Sequence, residues 1–201
     1  MLARIAALSL AVLAAAACMP VTTTVPVGST VGQAQDPLLT GMWKGRDPSS
    51  GQSEYIAFFP KTDGTTTGLM MEPGGKSSGA MGFSFQTVAL GTNHFMNVRL
   101  IKIDEKAVDD KATDTPDSAS SANTFPVLYR VTGDGSFVPY LLDEKRTAAA
   151  IKAGKIAGTI GPGNYGDIAI TASAADLDAF FQTPDGRALF AKPLAIFKKE
   201  K

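Results

Sequence analysis

The chain has 201 residues, enough for one domain with a sizeable core, and it carries 19 basic against 19 acidic residues. That balance gives no support to recognition of nucleic acid or of anionic lipid through a basic patch. A single cysteine and a single histidine exclude an internal disulfide and a zinc centre of typical nitrogen and sulfur ligands. Twenty glycines and twelve prolines, among alternating apolar and polar residues, favour short strands and many turns over a helical bundle.

At the N-terminus Arg4 precedes an apolar run from Ile5 to about Leu13. This is about half of the ~20 residues that a helix needs to span a bilayer. A basic start, a short apolar core and small residues before a cut site are the parts of a secretory signal. Ala15-Ala16-Ala17-Cys18 resembles the lipobox of bacterial lipoproteins. The resemblance implies a signal peptide at 1–17 and a diacylated Cys18 as the new N-terminus, and two or more acyl chains make a stable anchor. Ala15 stands where that family more often has Leu. Ala15-x-Ala17 also satisfies the ordinary signal-peptidase pattern, whose product is a soluble periplasmic protein. Met19 rather than Asp after the cysteine implies, by the same resemblance, the outer membrane facing the periplasm. Residues 18–36 lack periodicity and large apolar surface, and are expected to form the lipidated N-terminus and a flexible tether. A single β-rich domain is expected over 37–201.

Within that domain Gly41–Gly45 reads as a short strand, followed by the turn Asp47–Gly51. Glu54–Phe59 and Thr67–Glu72 read as strands joined through Thr62-Asp63-Gly64, and Pro73-Gly74-Gly75 ends the second. Met81, Phe83 and Phe85 alternate with small or polar residues, and the apolar phase then shifts to Val88 and Leu90, which predicts a bulge or bend near Thr87. His94–Ile103 is a further strand. Residues 104–123 are polar and aperiodic, and are expected to form a long loop whose acids do not follow calcium-loop spacing. Thr124–Val131 and Ser136–Leu142 form the clearest hairpin, around Gly133-Asp134-Gly135. Asp143 is placed to cap a helix ending at Gly154, and Ser173-Ala-Ala-Asp176 to open a second one that buries Leu177, Phe180 and Phe181. Lys155–Ile160, Asp167–Thr171 and Leu189–Phe197 complete about nine or ten strands. The economical architecture is one antiparallel β-barrel or curled sheet with two short helices over an open end, or alternatively a β-sandwich.

Chemistry is sparse. Gly161-Pro-Gly-Asn-Tyr-Gly166 matches G-x-G-x-x-G, but a strand rather than a helix is expected after it, so it reads as a turn and not as a dinucleotide site. Neither Ser84 nor any other serine has a nucleophile-elbow context for His94, and Asp143-Glu144 suits the first turn of a helix better than acid–base catalysis. No enzyme, metal or cofactor is therefore assigned.

Gly41-Met42-Trp43 resembles the G-x-W motif in the first strand of lipocalins, some of which are outer-membrane lipoproteins; no T-D-Y motif accompanies it. That resemblance implies that Trp43 seals the barrel base under a basic residue, for which Lys198 is the candidate after the last strand. Two functions stay open. One is a lipid-anchored interaction or structural module that meets another envelope protein. The other is a lipocalin-like binder of a lipid or other apolar small molecule, with Trp43, Phe58, Met70, Phe83, Phe85 and Met96 as candidate lining residues.

Overall fold

A computed structural model describes residues 21–29, 35–46, 51–71, 80–101, 123–162, 168–191 and 193–200. The signal segment, Cys18 and all of the 104–123 loop except Asn123 lie outside the described residues. In chain order the strands are β1 (Thr22–Thr23), β2 (Gly41–Arg46), β3 (Ser53–Pro60), β4 (Thr66–Met71), β5 (Ala80–Leu90), β6 (Asn93–Ile101), β7 (Phe125–Val131), β8 (Ser136–Tyr140), β9 (Gly158–Ile160), β10 (Ile168–Ile170) and β11 (Phe197–Lys199). The helices are α1 (Glu144–Lys152), α2 (Ala174–Gln182) and α3 (Pro184–Arg187), with 3-10 turns at Pro37–Leu39 and Ala188–Phe190.

Eight strands close into an antiparallel barrel in the order β11-β2-β3-β4-β5-β6-β7-β8, while β1, β10 and β9 form a separate three-stranded sheet. The barrel bears out the mainly β reading and settles it against the sandwich. Its interior is apolar, the reverse of a membrane-spanning barrel, whose apolar band faces outward. No helix among the described residues is long and apolar enough to cross a membrane.

Strand alternation separates two cores. Trp43, Ile56, Phe58, Phe83, Phe85, Met96, Val98, Val127, Tyr129, Phe137 and Phe197 point inward and form one cluster. Val88, Phe95 and Leu128 point outward from β5, β6 and β7, and belong to a second cluster with Leu177, Phe181 and Phe190. The Phe95 ring stacks on Phe181 at 5.9 Å and meets Phe190 edge-on at 5.7 Å. The helices therefore cover the outer wall of the barrel rather than an open end.

That two-sided burial also replaces the expected bulge. β5 and β6 pair without interruption through Gln86↔Asn97, Thr87↔Met96 and Val88↔Phe95. The apolar phase shifts at Val88 because the outer face of the strand becomes the buried one there, not because the backbone slips.

The expected tether is likewise ordered over residues 21–29 and 35–36. Val21 and Val27 are buried in the outer cluster. Thr23 exchanges backbone hydrogen bonds with Thr124, and β1 pairs in parallel with β10. Asn97 accepts from the Val27 amide at 2.7 Å and donates to the Val27 carbonyl at 2.9 Å, so one side chain satisfies both polar groups of a buried backbone unit. Gly28, at φ +65°, follows because a Cβ there would lie 2.6 Å from Val88 Cγ2. Its amide donates to Asp178 on α2 at 2.7 Å. Composition could not show this, since Val21, Thr23, Val25 and Val27 are covered only by a wall that residues far along the chain, such as Val88, Asn97 and Leu177, supply.

The helix caps form as the sequence suggests. Asp143 accepts from the Arg146 amide and Ser173 from the Asp176 amide. Past the end of α2 the chain turns at once into α3, because Thr183 accepts from the Gly186 amide and Pro184 takes the first helical position. Leu189 and Phe190 continue it into a 3-10 turn and bury against the outer cluster, so only Phe197 of the expected Leu189–Phe197 strand is in β11, which runs on to Lys199. Residues 163–166 of the G-x-G-x-x-G match lie outside the described residues; the strands before and after the match, β9 and β10, pair antiparallel.

Replacing Asn97 by Leu leaves the Val27 amide and carbonyl buried without partners. The expected loss is about 2–4 kcal/mol in urea unfolding, with faster amide exchange confined first to residues 21–28. Unchanged exchange there contradicts the ordered N-terminal segment.

Candidate functional site

The two ends of the barrel differ. At one end the chain enters β2 through the 3-10 turn Pro37–Leu39, which Asp36 caps by accepting from the Leu38 amide. Trp43 lies just inside, with its indole N–H donating to the Leu39 carbonyl at 3.3 Å. The Lys199 ammonium sits 5.6 Å from the Trp43 ring centroid. Tyr129 projects into the same end and donates to Asp36 at 2.8 Å. Burial first, and then this hydrogen bond to a carboxylate, push the Tyr129 hydroxyl far above the ordinary tyrosine range. Gln35 donates to the Lys61 and Thr65 carbonyls, tying the entering chain to the β3–β4 turn. This end is filled.

The basic residue over Trp43 is Lys199, not Lys198. Pairing places Lys199 opposite Trp43 and Lys198 opposite Lys44, so a one-residue step puts Lys198 on the outer surface. There it pairs with Asp134, whose carboxyl is held well below the usual carboxylate range by Lys198, Thr132 and Ser136.

Above the plug the rings of Phe58, Phe85 and Phe137 meet edge-on, with centroids 5.4 and 5.6 Å from Phe58. Phe83 fits beside Phe58 only because residue 68 is glycine, since a Cβ there would lie 2.3 Å from the Phe83 ring. Beyond this aromatic layer the barrel is not filled. A cavity of about 360 Å³ runs toward the ends of β2, β4 and β6. Its floor is Phe58 and Phe137, its walls include Ile56, Met96, Val98 and Val127, and its mouth includes Met70, Met81, Leu141 and Leu194. Met81 and Leu194 are exposed. Every described residue that lines the cavity is apolar.

Of the residues singled out from sequence, Phe58, Met70, Phe83 and Met96 line this cavity; Trp43 and Phe85 lie beneath it in the filled half. Ile56, Val98, Val127, Phe137, Pro139 and Leu141 were not anticipated as lining. For the last three the signal was present but misleading. Val138, Tyr140 and Leu142 look like the buried face of their strand, but Leu142 is buried and Tyr140 partly buried against the outer cluster. The inward face of that strand is Phe137 and Pro139.

An eight-stranded barrel is just wide enough to be filled by side chains or to hold one small ligand. Here one half does the first and the other half has the dimensions for the second. The volume falls at the low end of the ~300–1,000 Å³ typical of ligand pockets. With only apolar side chains among the described residues that line it, the cavity is suited to hydrocarbon and unsuited to a charged or hydrogen-bonding group.

Other chemistry is weakly represented. His94 is exposed at the closed end, with its ring 5.7 Å from that of Tyr129. Among the described residues no three His, Cys, Asp or Glu side chains are grouped to hold a metal ion. A second hollow of about 370 Å³ lies between α1 and α3, lined by Arg146, Ala149, Ala153, Phe180 and Leu189 beside the Lys155–Asp185 ion pair. Both partners of that pair are more than half exposed, so it contributes little. No protein-family model, curated protein or solved structure matches the chain.

The raised Tyr129 hydroxyl has a testable sign. The unfolded chain releases this proton near pH 10 and the folded barrel does not, so stability falls as pH rises above about 10. Unfolding midpoints measured between pH 8 and 11.5 are expected to show this decline, and Tyr129→Phe is expected to flatten it while costing roughly 1.5–3 kcal/mol at pH 8. An identical alkaline slope in the variant contradicts the assignment.

Proposed function

We propose that the barrel binds the apolar chain of a lipid or similar small molecule, in a protein held at the bacterial cell envelope by lipid on Cys18. The observation that carries the first part is the unfilled apolar half of the barrel above a plugged base. The interaction-module reading calls for a packed interior, and the cavity favours a ligand instead. The arrangement at the base supports the same view. Trp43 of Gly41-x-Trp43 lies under a basic residue of the last strand, as the lipocalin resemblance implies. Binding is non-covalent, with the hydrocarbon inserted and the polar head at the mouth. The driving force is removal of apolar surface from water, roughly 0.8 kcal/mol for each buried methylene.

The second part rests on the basic, apolar and small-residue pattern that ends at Cys18. In this reading the mature chain starts at Cys18 and resides at the outer membrane facing the periplasm. Plain cleavage after Ala17 gives the soluble periplasmic alternative.

Because Trp43 is the single tryptophan, energy transfer from it to a fluorescent fatty acid reports occupancy of this barrel. The Phe137 ring, 5.6 Å from Trp43, is the cavity floor. We expect saturable transfer at one equivalent. Val127→Phe, which adds bulk to the wall, is expected to weaken binding at least tenfold; unchanged affinity places the ligand elsewhere, and absent transfer removes the reading.

For the anchor, labelled palmitate is expected to enter the wild-type protein and not Cys18→Ser, which also leaves the membrane fraction. A Cys18→Ser protein that still takes up label and sediments with membranes contradicts it.

A further inference from the structure

We propose that the domain lies on the bilayer with its plugged end down, inserting Leu38, Met42 and Phe59, so that the mouth of the cavity points away from the membrane. The proposal rests on the lipidated Cys18 of the preceding reading. Its first support is the length of chain left for a tether. With Val21 buried in the outer cluster, only Met19 and Pro20 separate it from Cys18. An extended chain advances at most ~3.6 Å per residue, so the anchor is held within about 11 Å of Val21. The domain cannot tumble freely above the surface as an eighteen-residue tether would allow.

The second support is the direction in which the chain arrives. β7 runs from the mouth, where Phe125 lines the cavity, to the plugged end at Val131, which leads into the Thr132–Gly135 turn. Thr23 bridges antiparallel to Thr124, the residue just before β7. The chain therefore comes to Thr23 from the side of the plugged end. Val21 accordingly belongs to the cluster of Val88, Phe95 and Leu128, which lie further from the mouth than Thr124. The anchor is thus directed toward the plugged end.

Third, that end carries apolar side chains without a fold-level reason to be exposed. Leu38 is 56% exposed, Met42 44% and Phe59 54%. Met42 and Phe59 share the outer face of the β2–β3 pair, where Met42 sits opposite Ala57, and Leu38 belongs to the 3-10 turn that leads into β2. Elsewhere Met81, Leu194 and Ile196 are exposed; the first two border the cavity, where a ligand covers them, and, among the described residues, Ile196 stands alone just before β11. Among the described residues none covers Leu38 or Phe59, and both stay more than half exposed. Three side chains bind a bilayer weakly on their own, but a covalent anchor makes their insertion an intramolecular event at high effective concentration. The cations at this end do not carry the contact, since Lys198 is paired with Asp134, Lys199 lies over Trp43 and Lys61 interacts with Asp63. Docking should therefore occur on neutral phosphatidylcholine and change little with salt.

An amphiphile bound in this orientation is exchanged with the aqueous side or with a soluble partner, not drawn straight up from the bilayer beneath. The test uses the lipidated full-length protein in phosphatidylcholine vesicles. Acylation blocks the only native thiol, so a cysteine introduced at Leu38→Cys, Phe59→Cys, Met81→Cys or Leu194→Cys is labelled alone with an environment-sensitive fluorophore. Lipids carrying a quencher near the headgroup are expected to quench labels at 38 and 59 at least threefold more than labels at 81 and 194. Equal quenching, stronger quenching at 81 and 194, or none at any position overturns the proposal. Flotation of the unlabelled protein is measured in parallel. Protein that floats without quenching at 38 and 59 contradicts the orientation alone, and protein that does not float removes the anchor and the orientation together. Ligand binding through Trp43 is read separately and is independent of both.

Discussion

The wall formed by β5, β6 and β7 is buried on both faces, and most of the architecture follows from that constraint. A strand in a barrel ordinarily shows one face to solvent and needs apolar residues only at every second position. Here Phe95 and Met96, or Val127 and Leu128, are neighbours in sequence and are both buried, one on each side of the sheet. The outer face then needs a cover, which α2, α3, the 3-10 turn after them and residues 21–27 supply. Because the helices are used on the outside, they are not inside. The barrel interior is left to its own side chains, which fill one half and not the other.

The filled half is fixed by contacts that cross the base. The entering chain is held through Gln35, Asp36 and Leu39, the indole N–H of Trp43 is satisfied by backbone, and Lys199 lies over the ring. Large rings from β3, β5 and β8 meet above it, and a glycine at position 68 makes room for one of them. Toward the mouth the inward residues are mostly Met, Val, Pro and Leu, with Phe125 at the start of β7, and they do not close the remaining space. Methionine is a soft lining that adapts to irregular apolar shapes. A rigid aromatic floor below an adaptable mouth suits a hydrocarbon chain whose length is limited by the floor.

Much of the fold was legible where local chemistry decides it. The hairpin around Gly133–Gly135 and the caps at Asp143 and Ser173 form as their residues require. Period-two alternation in Met81–Phe85 gave the inward face correctly. Reading failed where burial depends on distant partners. Val21 and Val27 look like tether until Asn97, Leu177 and Phe181 are placed beside them. The shift at Val88 looks like a bulge until the outer cover is known, and the phase of Ser136–Leu142 is inverted for the same reason. Lys198 and Lys199 differ by one residue and by the whole thickness of the sheet. Cavity volume is the sum of side chains from nearly all strands, so sequence could nominate Phe58, Met70, Phe83 and Met96 but not show that the space between them stays open.

The central claim is that this upper half receives a single apolar chain, and carbon-labelled methionine methyls report on it most directly. Met70, Met81 and Met96 line the cavity, whereas Met42 lies on the outer wall at the other end. Titration with a single-chain fatty acid should shift the Met70, Met81 and Met96 resonances together, saturating at one equivalent, and leave Met42 in place. Shifts confined to Met42, or no saturable change at the three cavity methyls, would show that the barrel does not take a ligand into its interior.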